Sequence, residues 1–318
     1  MSKGMWLYLM KRFLRSILTL LIIIIVVFYL LRLMPESNIF DNFDKLSEAT
    51  KQAKLKTLGL DKSVPEQIIM FLKKLFKGDL GESMKVYKNV PITEVLSTKV
   101  PISLMLGGLS MLVSLILGIP MGVLMAKHKG KLFDKFGTVL IVIVEAVPAA
   151  VYHILIQFYG TDLFGMPLTY NDTNPWYWWL LPIFSMAIGN IVYYGMWVRR
   201  YMIDEFNKDY VKLARAKGAS EGRIMFRHVL KNAFVPMAQY LPTSFLNTII
   251  GSIYIEYLYG INGMGGLLVT SVQRSDYTLV QVLVLLFAVV GIIGLILGDL
   301  LMVVLDPRIS FGKKAGDR

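Results

Sequence analysis

The sequence predicts an all-α membrane protein of six transmembrane helices, with a small extracytoplasmic segment between the first two. Three observations carry that expectation. Apolar residues make up 55% of the 318-residue chain and charged residues only 18%, against about 45–50% and about 25% in soluble domains. Stretches without Asp, Glu, Lys or Arg recur, most of them near the roughly 20 residues that a helix needs to cross hydrocarbon. The surplus of basic residues also alternates between successive connections, as the positive-inside rule requires.

In chain order, residues 1–31 hold a cytoplasmic amino terminus and the first span. The charge-free run 16–31 is short, but Arg12, Arg15 and Arg32 stand at its ends, where their long stems reach toward headgroups. Positive charge before an apolar run is also the outline of a secretory signal. The run ends in LLRLMPES, without a small-residue cleavage site, and reads as a retained anchor. The segment 32–99 carries twelve basic and nine acidic residues, an ordinary solvated surface. Within it Pro65 starts a helix in which Ile68, Ile69, Phe71, Leu72, Leu75 and Phe76 alternate with Lys73, Lys74 and Lys77. That helix is amphipathic and belongs on a membrane surface or in a small cap.

Residues 100–306 form the transmembrane core of helices 2–6. Its spans are 100–126, 136–161 interrupted only by Glu145, 173–198, 232–255 and 277–298, and a cytoplasmic tail follows at 307–318. Trp176, Trp178 and Trp179 crowd the start of the fourth span as an interfacial aromatic belt would. Pro148, Pro182, Pro236 and Pro242 interrupt otherwise helical spans and mark kinks. Of the 34 Lys and Arg residues, 21 fall in the amino terminus, the 127–135 and 199–231 loops and the tail, whereas the 162–172 loop has none. Both termini are therefore placed in the cytoplasm.

The chemistry that is missing narrows the function. With no cysteine there is no disulfide framework and no thiolate nucleophile, and His128, His153 and His228 are too scattered for a metal motif. Neither a Walker A loop, nor H-E-x-x-H, nor G-x-S-x-G occurs. No catalytic residue, metal or cofactor is expected, and the chain is not read as an enzyme. Gly260, Gly263, Gly265 and Gly266 look like a phosphate loop, but no lysine follows them, and turn geometry accounts for them. The net charge of +12 is the positive-inside bias facing membrane lipid rather than a sign of nucleic acid.

The most informative stretch is DYVKLARAKGASEGRIMFRHVLKN, in the most basic loop, 199–231. Val211, Ala214 and Arg215 have helical spacing, Gly218 is placed to end that helix in the left-handed conformation, and Ser220 to cap a second one. Ala214, Ala216, Gly218 and Ala219 leave a small-residue surface rimmed by Lys212, Arg215 and Lys217, suited to an acidic groove on a partner.

Residues 209–236 resemble the cytoplasmic EAA-type loop of ABC-importer permeases, with Gly218 at the motif's glycine. More narrowly, the chain resembles the B-type permease subunit of the oligopeptide/dipeptide ABC importer family, a binding-protein-dependent transport system inner-membrane component. Supporting stretches are KRFLRSI with LLRLMP, LGLDKSVPEQ with KGDLGES, VPISLMLGGLSMLVSLILGIPMGVLMA, and DYTLVQVLVLLFA with LLMVVLDPR. The resemblance implies the ABC-importer permease fold. It also implies an ATP-driven importer of peptides, oligopeptides above all, in a bacterial plasma membrane, with a Lys-rich, Cys-free chain pointing to a Gram-positive source. Its partners would be a second, paralogous permease subunit, two cytoplasmic ABC ATPase subunits and an extracellular solute-binding lipoprotein. By the same resemblance the ATPase-coupling residues are Asp209, Tyr210, Ala214, Arg215, Ala216, Lys217 and Gly218. Asp209 stands where the family often has Glu. Glu256 matches the acidic residue ahead of the outer glycines, and Asp306, Pro307 and Arg308 match a motif near the carboxyl end.

Polar groups within spans are costly in lipid and belong on the bundle interior or a water-filled path. Glu145, His153, Gln157, Glu256 and Asp299 are the candidates for a translocation path, Glu256 being expected near the outer interface as an exposed carboxylate. Three other readings stay open: a proton-coupled secondary transporter using Glu145, His153 and Asp299, a dipeptide or nickel-chelate importer subunit of the same family, and a non-transporting membrane scaffold or sensor with the 32–99 segment as its receptor face.

Overall fold

The computed structural model describes residues 3–33, 47–57, 59–171, 173, 175–238 and 240–305. Asp306, Pro307, Arg308 and the 307–318 tail lie outside them. The described residues are almost wholly helical and fall into two compact units.

The first unit gathers residues 3–102 and 262–292. Its opening helix, α1 (Lys3–Arg32), is longer than the charge-free run and includes a 23-residue apolar stretch, Met10–Arg32, long enough to span a membrane. After the short α2 (Glu48–Thr57), helix α3 (Val64–Phe76) starts where Pro65 predicts it, with the Glu66 carboxylate reaching back to accept from the Ser63 N–H at 3.0 Å and from its hydroxyl at 2.9 Å. Its Phe71 ring meets Phe28 of α1 edge-on at 5.5 Å, while Ile69 and Phe76 are exposed. Strands β1 (Glu82–Ser83) and β2 (Val90–Pro91) form a two-stranded antiparallel ribbon. Helix α4 (Ile92–Lys127) then begins ahead of the expected boundary at 100, because Ile92, Val95 and Leu96 already have a core to enter. That core is completed by Leu267 of α12 (Met264–Gln273) and by Leu279, Val282 and Leu283 of α13 (Tyr277–Leu305).

The second unit gathers residues 103–261 and 293–305. The stretch expected as one span at 136–161 is two helices, α5 (Leu132–Ala146) and α6 (Ala149–Phe164), meeting at 107°. Pro148 is the cause. Val147, the residue before it, is extended (φ −87°, ψ 129°), as the proline ring demands of its neighbour. A 3₁₀ turn, Trp176–Trp179, leads into α7 (Leu180–Phe206), and Pro182 is accommodated in its first turn. Trp178 is fully buried and donates its indole N–H to the Pro167 carbonyl at 2.8 Å. It is therefore a core residue and not part of an interfacial belt, whereas Trp176 is 78% exposed. Along the fifth expected span the structure describes two helices, α10 (Leu230–Ala238) and α11 (Leu241–Tyr259), with residue 239 between them outside the described residues.

Helices α4 and α7 approach to backbone contact. A Cβ on Gly122 would lie 2.5 Å from the Gly195 carbonyl oxygen, and one on Gly118 would lie 2.7 Å from that of Ile191. The G-I-P-M-G run is thus a small-x-x-x-small packing face, which membrane helices use where lipid supplies no hydrophobic drive between them. Among the described residues, four single helices are long and apolar enough to cross a membrane, or five spans if the bent α5–α6 pair counts as one.

Candidate functional site

The basic loop is built from local bonds. Helix α8 (Asp209–Ala216) buries Val211 against Ile224, Met225 and Val229 and leaves Leu213, Arg215, Ala216, Lys217 and Gly218 exposed, with Ala214 half-buried. Gly218 adopts φ +78°. Its N–H reaches the Arg215 carbonyl at 3.0 Å and that of Ala219 reaches Ala214 at 3.1 Å, the paired bonds of a Schellman turn. Ser220 then caps α9 (Glu221–Arg223) by accepting from the Arg223 N–H. A π-helical stretch, Ile224–Val229, continues into α10. Such stretches tend to occur at functional positions.

Electrostatics stiffens this turn. Arg215 grips Glu221 with both ends of its guanidinium, at 2.6 and 3.0 Å, tying the end of α8 to the start of α9. The pairing holds the Glu221 carboxyl below, and the Arg215 guanidinium above, their ordinary values. A hydrogen bond from Lys212 likewise lowers Asp209. Tyr210 donates to Glu205 at 2.5 Å, and burial together with that carboxylate pushes its hydroxyl up to about 12. Of the seven predicted coupling residues, Arg215, Ala216, Lys217 and Gly218 share the open end of α8, while Tyr210 turns inward as an anchor. Exposed Leu213 and the partner Glu221 belong to this surface and were not foreseen. An apolar residue out of phase with Val211 is the signal for the first, and a carboxylate six positions after Arg215 the signal for the second.

The five path candidates do not converge. Glu256 is fully buried, accepting hydrogen bonds from Ser103 and Ser252, both at 2.6 Å, so its expected exposure is wrong. The two hydroxyls supply the polar partners that make the burial tolerable. Gln157 is buried too, its amide clamping the carbonyls of Leu168 and Leu258 at 2.9 Å. Glu145 is exposed at the end of α5, beside the helix break. Asp299 is partly exposed on α13 and is engaged by its surroundings.

Of the five, His153 lines a cavity among the described residues. It sits 3.0 Å from Ser185 Oγ, between the rings of Tyr152 and Tyr254, with neither Glu145 nor Asp299 among its partners. The cavity, about 380 Å³, is walled by Met186, Asn190 and Tyr193 of α7 and by Thr243, Ser244, Asn247, Thr248 and Ile255 of α11, with Tyr240 ahead of them. No other path candidate reaches it.

These features define a class: an integral membrane component of broken and continuous apolar helices that carries an ordered basic loop and a polar cavity. Residues 118–311 match the family described as binding-protein-dependent transport system inner membrane component, and residues 5–99 match its N-terminal counterpart. The chain belongs to this family, that of bacterial ABC transporter permeases.

Relatives match along nearly the whole length. A dipeptide transport system permease protein of Lactococcus lactis subsp. cremoris is 29% identical, over 95% of this chain and 98% of its own. An oligopeptide transport system permease protein of Bacillus subtilis is 30% identical, over 96% and 99%. A glutathione transport system permease protein of Pectobacterium atrosepticum is 31% identical, also over 96% and 99%. Among solved structures, the inward-facing MetNI methionine ABC transporter aligns with a TM-score of 0.55 at 14% identity, over 68% of this chain and 98% of that one. At that identity the likeness establishes the fold alone.

Proposed function

We propose that the chain is the B-type permease subunit of an ATP-driven peptide importer. In this reading it forms the translocation path with a paralogous permease, receives peptide from an extracellular binding protein and is driven by two cytoplasmic ATPases. The dipeptide and oligopeptide permeases that it matches end to end support peptide as the substrate class. The bent α5–α6 pair counts as one broken span, and α10 together with α11 counts as one more span, giving six in all with both termini cytoplasmic. Non-helical backbone at membrane depth is tolerable where it is enclosed by protein or lines water.

The observation that carries the ATP-driven reading is the open end of α8. A ligand acts on a conformational equilibrium only through contacts that differ between its states, so nucleotide bound by another subunit needs a stiff element through which to act. The Schellman turn at Gly218 and the Arg215–Glu221 clamp make α8 and α9 one rigid corner, presenting Leu213, Ala216 and Lys217 outward. That corner is the coupling element.

Gly218→Asp tests it. Nothing lies within 4 Å of a Cβ built there, so the added carboxylate leaves packing intact. It strains the left-handed turn by about 1 kcal/mol and places an acidic group on the docking face. Membrane levels should be unchanged and peptide uptake should fall at least about tenfold. Undiminished uptake would overturn the assignment.

A further inference from the structure

Polar side chains on α7 and α11 are arranged as stripes, which the permease reading does not require. On α7, Met186, Asn190, Tyr193, Trp197 and Tyr201 follow one another three or four residues apart, on a single helical face. Ser244, Asn247 and Thr248 fall on one face of α11 by the same spacing, with Tyr240 one turn before them. The cavity of about 380 Å³ lies between these stripes. A smaller one of about 120 Å³, lined by Trp197, Tyr201 and Met237, shares Tyr193 and Tyr240 with it. The two cavities are neighbours that share a wall, and we treat them as sections of one groove.

The lining has a specific chemistry. In the larger section it consists of amides, hydroxyls and one imidazole together with Met186 and Ile255, with no Asp, Glu, Lys or Arg. Asn190 donates to Thr248 Oγ1 at 3.2 Å, whose own hydroxyl is used on the Ser244 carbonyl. Asn247 is exposed and has no hydrogen-bond partner among the described residues. In the smaller section the buried Trp197 indole N–H has no acceptor among the described residues. A free amide on a membrane helix is costly against lipid, and an unpaired buried donor is costly anywhere. Both costs vanish if the groove holds water or a ligand that offers acceptors and donors.

We propose that this groove is a transmembrane peptide site that reads backbone. Asn190 and Asn247 can each both donate and accept, matching the N–H and C=O of an extended peptide. The absence of fixed charge leaves the ligand's side chains unselected. Tyr193, Trp197 and Tyr240 supply flat apolar surface beyond the amides. The volume lies at the low end for small-molecule sites, so the groove takes a short extended segment. This inference rests on the peptide-importer reading and deepens it.

Because this chain has no cysteine, label recovered on it after the subunits are separated reports on the one introduced thiol. Asn247→Cys and the near-isosteric Ser244→Cys, each in membranes carrying the complete transporter, are treated with a water-soluble thiol reagent. Val142→Cys, on the exposed apolar face of α5, serves as the lipid-facing control. The two groove variants should react and the control should not. Tri-alanine at ten times its half-saturating concentration should slow the groove reaction about tenfold, as site occupancy dictates. Free alanine, which has no internal peptide bond, should not slow it. Transport of tri-alanine with no protection at either position, or equal protection by alanine, overturns the site. A wild-type transporter that takes up no peptide overturns the importer reading instead, so the two failures are separable.

Discussion

Two loops of this molecule are each fixed by a single residue, by opposite physical means. In the basic loop Gly218 acts through what it lacks. Its φ of +78° closes the Schellman turn, and every bond that shapes the corner comes from within residues 213–224. In the first unit Asp276 acts through charge. Its carboxylate accepts from Ser83 Oγ at 2.6 Å, from the backbone N–H groups of Met84, Lys85 and Val86 at 2.9 to 3.2 Å, and from Leu279 as the cap of α13. Ser83 Oγ in turn accepts from the Tyr87 N–H. The loop at 83–87 is therefore wrapped around a group about 190 positions away in sequence. A corner made of its own bonds needs no distant residue to hold its shape, as the proposed coupling role requires. A loop made around a remote anion exists only while its unit is assembled.

The largest effect should follow from removing that anion. Asp276 is fully buried, so Asp276→Ala leaves a hydroxyl and several backbone N–H groups without an acceptor, at a cost of about 3 kcal/mol or more. The detergent-purified transporter should lose thermal stability, and cleavage by added protease should appear at residues 84–89. Asp276→Asn, which keeps one acceptor oxygen, should lie between Ala and wild type. A loop that resists protease equally in all three would break the contrast drawn above.

The same contrast explains what could be read without coordinates. Gly218, Ser220 and Pro65 act on neighbours within a few positions, and each sits where its local chemistry predicts. The Asp276–Ser83 contact has no local signature, so an ordinary solvated segment is all that residues 83–87 suggest. Glu256 was misplaced for a related reason. Ser252, four residues earlier on α11, was in view, but Ser103 on α4, which completes the carboxylate's environment, was not. Pro148 announced a kink, yet a 107° turn depends on α5 and α6 each having something to pack on after the break. The groove was legible as a polar period on α7, Asn190 to Tyr201, but ionisable residues draw attention first, and Asn and Ser carry no charge to count.

Acid provides a milder probe of the same anion. Burial raises the Asp276 carboxyl, but the hydrogen bond from Ser83 and those from the Val86, Lys85 and Met84 N–H groups outweigh it and hold the group below its ordinary value of 3.8. A carboxyl depressed in the folded state stabilises it fully above the unfolded value and loses that contribution as pH falls through the folded one. The wild-type transporter should therefore lose stability progressively below about pH 3.8. Asp276→Asn, less stable at neutral pH, should show a flatter decline over that window. Parallel curves for the two proteins would mean that other carboxylates govern the acid transition.

The smallest effect is expected at Glu221. Its bidentate pair with Arg215 is solvent-exposed on both sides, where ion pairs are screened by salt and contribute little to stability. Glu221→Gln should leave the thermal midpoint unchanged, because the Schellman turn and the Ser220 cap keep the chain's path. What the pair adds is stiffness between α8 and α9, so uptake should fall by less than about threefold and the deficit should shrink as salt rises and weakens the clamp in the wild type too. A loss as deep as that of Gly218→Asp would mean that the ion pair, rather than the left-handed turn, sets the corner. The basic loop would then depend on charge as the Asp276 loop does, and the distinction between the two would be one of distance along the chain instead of kind.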